Sequence, residues 1–148
     1  MQSKKVTSEK VRVKQVIVLA LLFMMMGTLL ELYLLEHYED TFQLIPVLCI
    51  AFSLTNLIIL LFKKSKKIIN LFKLMLVLTS LSGVYGVFLH LQSNFEFEQE
   101  MKPTATNWEL FSESLSGALP TLAPMSMLVL AFIGYSYLIL INQQHEKI

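Results

Sequence analysis

Five residues of this chain could bind a cation together: Glu31, Glu36, His37 and Asp40 around the end of one apolar block, and His90 at the end of another. Imidazole nitrogen suits zinc, copper, iron and nickel, and carboxylates add hard oxygen ligands. At 100° per residue, Glu36, His37 and Asp40 span an arc of about 100°, one face if the helix continues through Asp40. Glu31 lies about 140° from Glu36 and joins that face only through a bend. It also sits about four residues, or ~6 Å, inside the expected outer edge of its block. A carboxylate there has to be protonated, paired or turned toward a wet cavity. Gly27 and Thr28, one turn before it, are small enough for another helix to approach, which predicts that Glu31 points inward.

The sequence thus predicts a cluster near the outer face that binds a proton or a divalent transition metal ion through Glu31, Glu36, His37, Asp40 and His90. Blander roles stay open: a neutral, hydrogen-bonded Glu31 that fixes helix contacts, and an acidic helix end exposed at the interface. Thr79, Gly83, Gly86 and His90 strengthen the cluster, because their spacing of four, three and four keeps them within about 60°. That narrow stripe suits close helix packing, with His90 at its outer end. Counted about 22 residues from each inner end, His37 and His90 reach the same depth. Glu96, Glu98 and Glu100 follow and are expected to close over the same place.

The elements that must position these groups are four membrane spans. Hydrophobic residues make up 55% of the 148 and charged residues only 16%, so the chain is greasier than an ordinary soluble domain. The excess collects in blocks at about 14–35, 42–62, 68–91 and 119–141, each long enough to cross ~30 Å of hydrocarbon as a helix. The predicted fold is an all-α membrane four-helix bundle forming a single domain over 1–148, since a barrel needs many more, alternating strands. Pro46 is expected in the first turn of span two, and Pro124 is placed to kink span four.

Charge supplies the orientation. One side carries Lys4, Lys5, Lys10, Arg12, Lys14, Lys63, Lys64, Lys66 and Lys67; the other carries mainly acids, with a single Lys102. Basic residues near span ends stay cytoplasmic, so both termini are expected inside. The same rule accounts for the basic residues without nucleic acid as a partner. A cleavable signal peptide is the alternative for the N-terminus, but no A-x-A-like site follows the run from Val16 to Leu30.

The connections at 36–41 and 63–67 are short and make their flanking spans antiparallel neighbours, whereas the one from Gln92 to Gly117 is long. Within it, Thr106 and Glu109 form a capping-box pattern, followed by Trp108, Phe111 and Leu115 on one helical face. That predicts a short amphipathic helix over about 107–115, lying on the outer membrane surface. Cys49, Ser53 and Asn56 share a face of span two, and Ser53 and Asn56 are expected to hydrogen-bond across helices. The run Met24-Met25-Met26 points three ways on a helix and reads as packing.

The stretches Glu31-Leu-Tyr-Leu-Leu-Glu-His-Tyr-Glu-Asp40, Gln43-Leu-Ile-Pro46, His90 through Glu100, Trp108-Glu-Leu-Phe111 and Ala118-Leu-Pro-Thr-Leu-Ala-Pro124 resemble a set of small four-span bacterial membrane proteins of unassigned function. The resemblance covers most of 31–124. It implies the four-span fold and a bacterial cytoplasmic (inner) membrane location, and it carries no activity or cofactor.

Two functions are weighed first: the cation-binding cluster, and a structural or assembly subunit of a larger membrane complex without its own chemistry, partnered by the bilayer and by another membrane protein or a second copy. Enzymatic chemistry has less behind it. The chain has no Glu-x-x-His pair of the di-iron bundle type, no His-Glu-x-x-His and no nucleotide-binding glycine loop. Transport would need a continuous polar path, and the inner halves of the spans are too apolar to supply one.

Overall fold

A computed structural model describes residues 2–145, with side chains from 9 to 142; Lys4 and Lys5 of the basic N-terminal flank lie outside the described side chains. The helices are α1 (Gln2–Leu34), α2 (Thr41–Phe62), α3 (Lys66–Met101), the short α4 (Asn107–Ser114) and α5 (Ser126–His145), the last entered through a 3-10 turn at Ala123–Met125. Four segments are long and apolar enough to cross a membrane: Glu9–Leu34, Thr41–Phe62, Lys66–Met101 and Ala123–Asn142. The short α4 falls between the third and fourth of them.

The four long helices form a ring in which α2 packs between α1 and α3, and α5 packs between α3 and α1. The helices that carry His90 and the Glu31 end of the predicted cluster, α3 and α1, therefore sit on opposite corners. Leu21 and Met25 of α1, Ile50, Leu57 and Leu60 of α2, Phe72 and Leu76 of α3, and Leu130 and Tyr137 of α5 fill the centre. Met25 is fully buried while Met26 is 61% exposed, so the three methionines do diverge.

Small residues set the closest approaches. A Cβ on Gly83 would lie 2.7 Å from the Pro124 carbonyl oxygen, and one on Gly86 would lie 2.9 Å from Pro124 Cβ. On the same stripe, the buried Thr79 hydroxyl hydrogen-bonds with that of Ser53 at 3.0 Å, joining α3 to α2. Asn56 does less than expected, since its Oδ1 is buried with no hydrogen-bond partner.

Three features differ from the sequence expectation. First, α3 does not stop near Leu91; its 36 residues make a rod of about 54 Å. Nothing between Gln92 and Met101 breaks a helix, and the side chains of Gln92 and Glu96 (2.8 Å) and of Glu98 and Lys102 (3.6 Å) pair one turn apart. Secondly, Pro124 lies in the 3-10 turn that opens α5, where its missing N–H costs little, and so does not kink a helix. Thirdly, Pro46 lies inside α2, beyond the first turn.

The C-terminal part of α3 is a post for the loop that follows it. Asn94, 2% exposed, donates from Nδ2 to the carbonyls of Ser114 (2.9 Å) and Leu119 (2.8 Å), with Thr121 Oγ1 at 3.1 Å. Its Oδ1 accepts the Leu119 N–H at 2.9 Å. Helix α4 starts at the predicted capping box: Thr106 Oγ1 accepts the Glu109 N–H, and the Glu109 carboxylate accepts the Thr106 N–H at 2.8 Å. These bonds, led by the one from the Thr106 backbone, hold the Glu109 carboxyl below its usual range. Leu110 and Ser114 face the post, while Trp108, Phe111 and Leu115 face away from it.

Candidate functional site

The cluster predicted from Glu31, Glu36, His37, Asp40 and His90 does not form a metal site. Among the described residues, no group of three or more His, Cys, Asp or Glu side chains could hold a metal ion. The structure thus contradicts the expected cation-binding function and its divalent transition metal cofactor. The physical reason lies in the turn between α1 and α2.

That turn is a closed set of backbone caps. The His37 N–H donates to the Leu32 carbonyl (2.8 Å) and the Glu36 N–H to the Tyr33 carbonyl (3.1 Å). This crossed pair is the Schellman ending of a helix, and it requires a left-handed residue after the cap. Glu36 takes that position, with φ 53°. The helix therefore ends before Glu36, His37 and Asp40, and the shared face that assumed its continuation is lost. Asp40 is occupied as the N-cap of α2, its Oδ1 accepting the N–H groups of Phe42 (2.7 Å) and Gln43 (2.9 Å). The Glu39 N–H is taken by Gln43 Oε1 at 3.0 Å. Tyr33 and Tyr38 stack across the turn, ring centres 5.8 Å apart.

The two histidines do approach one another. His37 is half-buried and within electrostatic range of His90. Burial first, and the neighbouring His90 second, hold the His37 imidazole below its ordinary value near 6.5, against a smaller opposing pull from Asp40. His90 is engaged elsewhere, its Nδ1 3.1 Å from the Pro120 carbonyl oxygen. Glu96, Glu98 and Glu100 continue up α3 and do not fold over the turn.

Glu31 contradicts the expectation of an inward carboxylate: it is exposed on α1. Gly27, one turn earlier on the same side, is exposed too, and a Cβ there would meet nothing within 4 Å. The expected partner helix is not supplied by this chain. A membrane-length window of α1 is only 11% buried, against 39% for the last span, so α1 is the peripheral member of the bundle.

Two features were not anticipated from sequence. The role of Asn94 is one; an amide in an otherwise amphipathic helix extension, ahead of a return loop with a single glycine at Gly117, was the available signal. The outward direction of Gly27 and Glu31 had no signal, because a Gly–Glu pair one turn apart packs equally well inward or outward.

Compared with protein-family models, characterised proteins and solved structures, the chain matches none. The structure is that of a multi-span, mostly helical membrane-spanning protein, a four-helix bundle with one extra short helix.

Proposed function

We propose that this chain is a structural or assembly subunit of a larger membrane complex, without chemistry of its own. The outward face of α1 carries the proposal. A glycine inside a helix costs roughly 1 kcal/mol relative to alanine, and Gly27 gains no packing within the chain in return. A carboxylate exposed on a membrane-spanning helix is costly unless a partner satisfies it. A notch with a polar group one turn away is what a second membrane helix needs to approach closely and hydrogen-bond.

The occupant is a helix of a different polypeptide bearing a hydrogen-bond donor or a cation opposite Glu31. A symmetric second copy on this face would set Glu31 against Glu31, like charge on like. The polar groups of this bundle support the structural role: the buried Ser53 with Thr79, Asn94 with the 114–121 loop, and the exposed Asp40 at its cap all hold the fold together.

The setting is a bacterial cytoplasmic (inner) membrane with both termini cytoplasmic. The basic residues at the N-terminal flank and at 63–67 support this orientation, and the sequence resemblance supports the location. In that frame α4 lies on the outer surface, with Trp108, 74% exposed, as its interfacial anchor.

Particle mass in nanodiscs cut directly from native membranes tests the proposal. Wild type should run as one discrete hetero-assembly, and Gly27→Leu and Glu31→Leu should each release monomer, whereas Val84→Leu on the exposed side of α3 should not. A wild-type monomer throughout, or an assembly of exactly this chain alone, would overturn it.

A further inference from the structure

The inner end of the bundle carries a second unusual arrangement. Lys14 on α1 and Lys64 just after α2 lie close enough for their charges to interact. An ammonium group has three donors and no acceptor, so two of them facing each other call for an anion between. Lys14 is steered there by the bundle: its Nζ stands 5.9 Å from the centre of the buried Tyr137 ring. Among the described residues no carboxylate supplies the anion: both salt bridges belong to Lys102 at the opposite end, and Glu9 pairs with none of these lysines. Lys63, Lys66 and Lys67 add exposed positive charge beside the pair.

Directly beside Lys14 a groove of about 410 Å³ runs between α1 and α2. Lys14 and Gln15 form the polar part of its wall, and Val11, Val18, Leu19, Leu22 and Leu61 make the rest apolar. From Lys14 to Leu22 the helix rises about 12 Å, from the basic end toward the middle of the bundle. A paired cationic site at the head of an apolar channel that descends into the membrane matches one chemistry: a phosphate attached to an acyl chain.

We infer that this groove binds an anionic glycerophospholipid, its phosphate bridging Lys14 and Lys64 and one acyl chain lying along Val18, Leu22 and Leu61. The site is independent of the α1 face that carries Gly27 and Glu31, so either can fail without the other.

The full-length chain, purified in neutral detergent and stripped of lipid, is titrated by native mass spectrometry with phosphatidylglycerol, with phosphatidylcholine of the same chains, and with soluble glycerol phosphate. One phosphatidylglycerol should bind about 30-fold more tightly than phosphatidylcholine, the discrimination expected of two lysines at a membrane surface. Lys14→Gln with Lys64→Gln should erase that preference, and Lys102→Gln should leave it intact. Val18→Trp, which fills the channel while keeping both charges, should weaken phosphatidylglycerol and spare glycerol phosphate. Equal binding of the two lipids by wild type would overturn the inference even if the double variant failed to fold. Displacement of the lipid by equimolar glycerol phosphate would overturn it too, by assigning the lysines to a free anion.

Discussion

The Asn94 carboxamide fills the space that a side chain on Gly117 would need: its Cγ lies 2.5 Å from the position of a Cβ there. The two residues are a matched pair. Only a glycine lets the return loop come close enough for Asn94 to reach the Ser114 and Leu119 carbonyls and the Leu119 N–H together. This contact fixes where α4 and the entry to α5 lie on the C-terminal post of α3.

Asn94→Leu should destabilise the protein by about 2 kcal/mol, because it leaves the partly buried Leu119 N–H and C=O without their partners. Asn94→Asp should cost at least as much, since it keeps the acceptor for the Leu119 N–H but sets a buried carboxylate oxygen against the Ser114 and Leu119 carbonyls. Thermal unfolding in detergent, with hydrogen exchange over residues 114–121, checks both; unchanged protection of that loop in Asn94→Leu would contradict the assignment.

Gly83→Ala is expected to cost about 1–3 kcal/mol by overpacking, because the new methyl would press on the Pro124 backbone as well as on Leu128 and Met127. Gly27→Ala, by contrast, meets open space and should stabilise an isolated monomer by roughly 1 kcal/mol. Comparing the two melting curves in detergent measures the difference, and equal effects would refute the packing described.

Glu36→Gly should stabilise the α1–α2 turn by about 1 kcal/mol. Glu36 holds φ 53°, a conformation that costs L-residues roughly 1–2 kcal/mol and glycine almost nothing. The readout is a higher melting temperature; a lower one would mean that the Glu36 side chain makes a contact absent from this structure.

His37 gives the turn a pH dependence. Its folded-state imidazole is held below the value near 6.5 that it has when free, so the unfolded chain binds the proton more readily. Stability from this group is complete above about pH 6.5 and is lost as pH falls through the lower folded value. His37→Gln should flatten that acid limb, seen as a smaller drop in melting temperature between neutral and mildly acidic buffer. An unchanged limb would assign the loss to other groups.

The fold was legible because bilayer thickness sets span length and because Lys and Arg mark span ends; those constraints act on composition and need no contact information. The Thr106–Glu109 box was legible for the same reason, since a local motif satisfies local donors. The cation cluster was misread at one residue. Grouping Glu36, His37 and Asp40 assumed a continuous helix, and a left-handed Glu36 gives no sequence signal where glycine is the usual occupant. The extension of α3 was misread because its alternating aromatic and acidic residues suggest irregular backbone, although no Gly or Pro interrupts them before Pro103. Close packing at Gly83 and Gly86 could be foreseen from spacing, but its partner, the Pro124 turn, could not.

The most direct test of a subunit role is a photocrosslinker placed at position 27 and, as controls, at Phe52, Val84 and Phe132 on the exposed sides of the other three long helices. In native membranes, position 27 should yield one defined protein adduct that disappears with Glu31→Leu, while the controls label lipid. Lipid adducts alone at position 27, indistinguishable from the controls, would contradict the account.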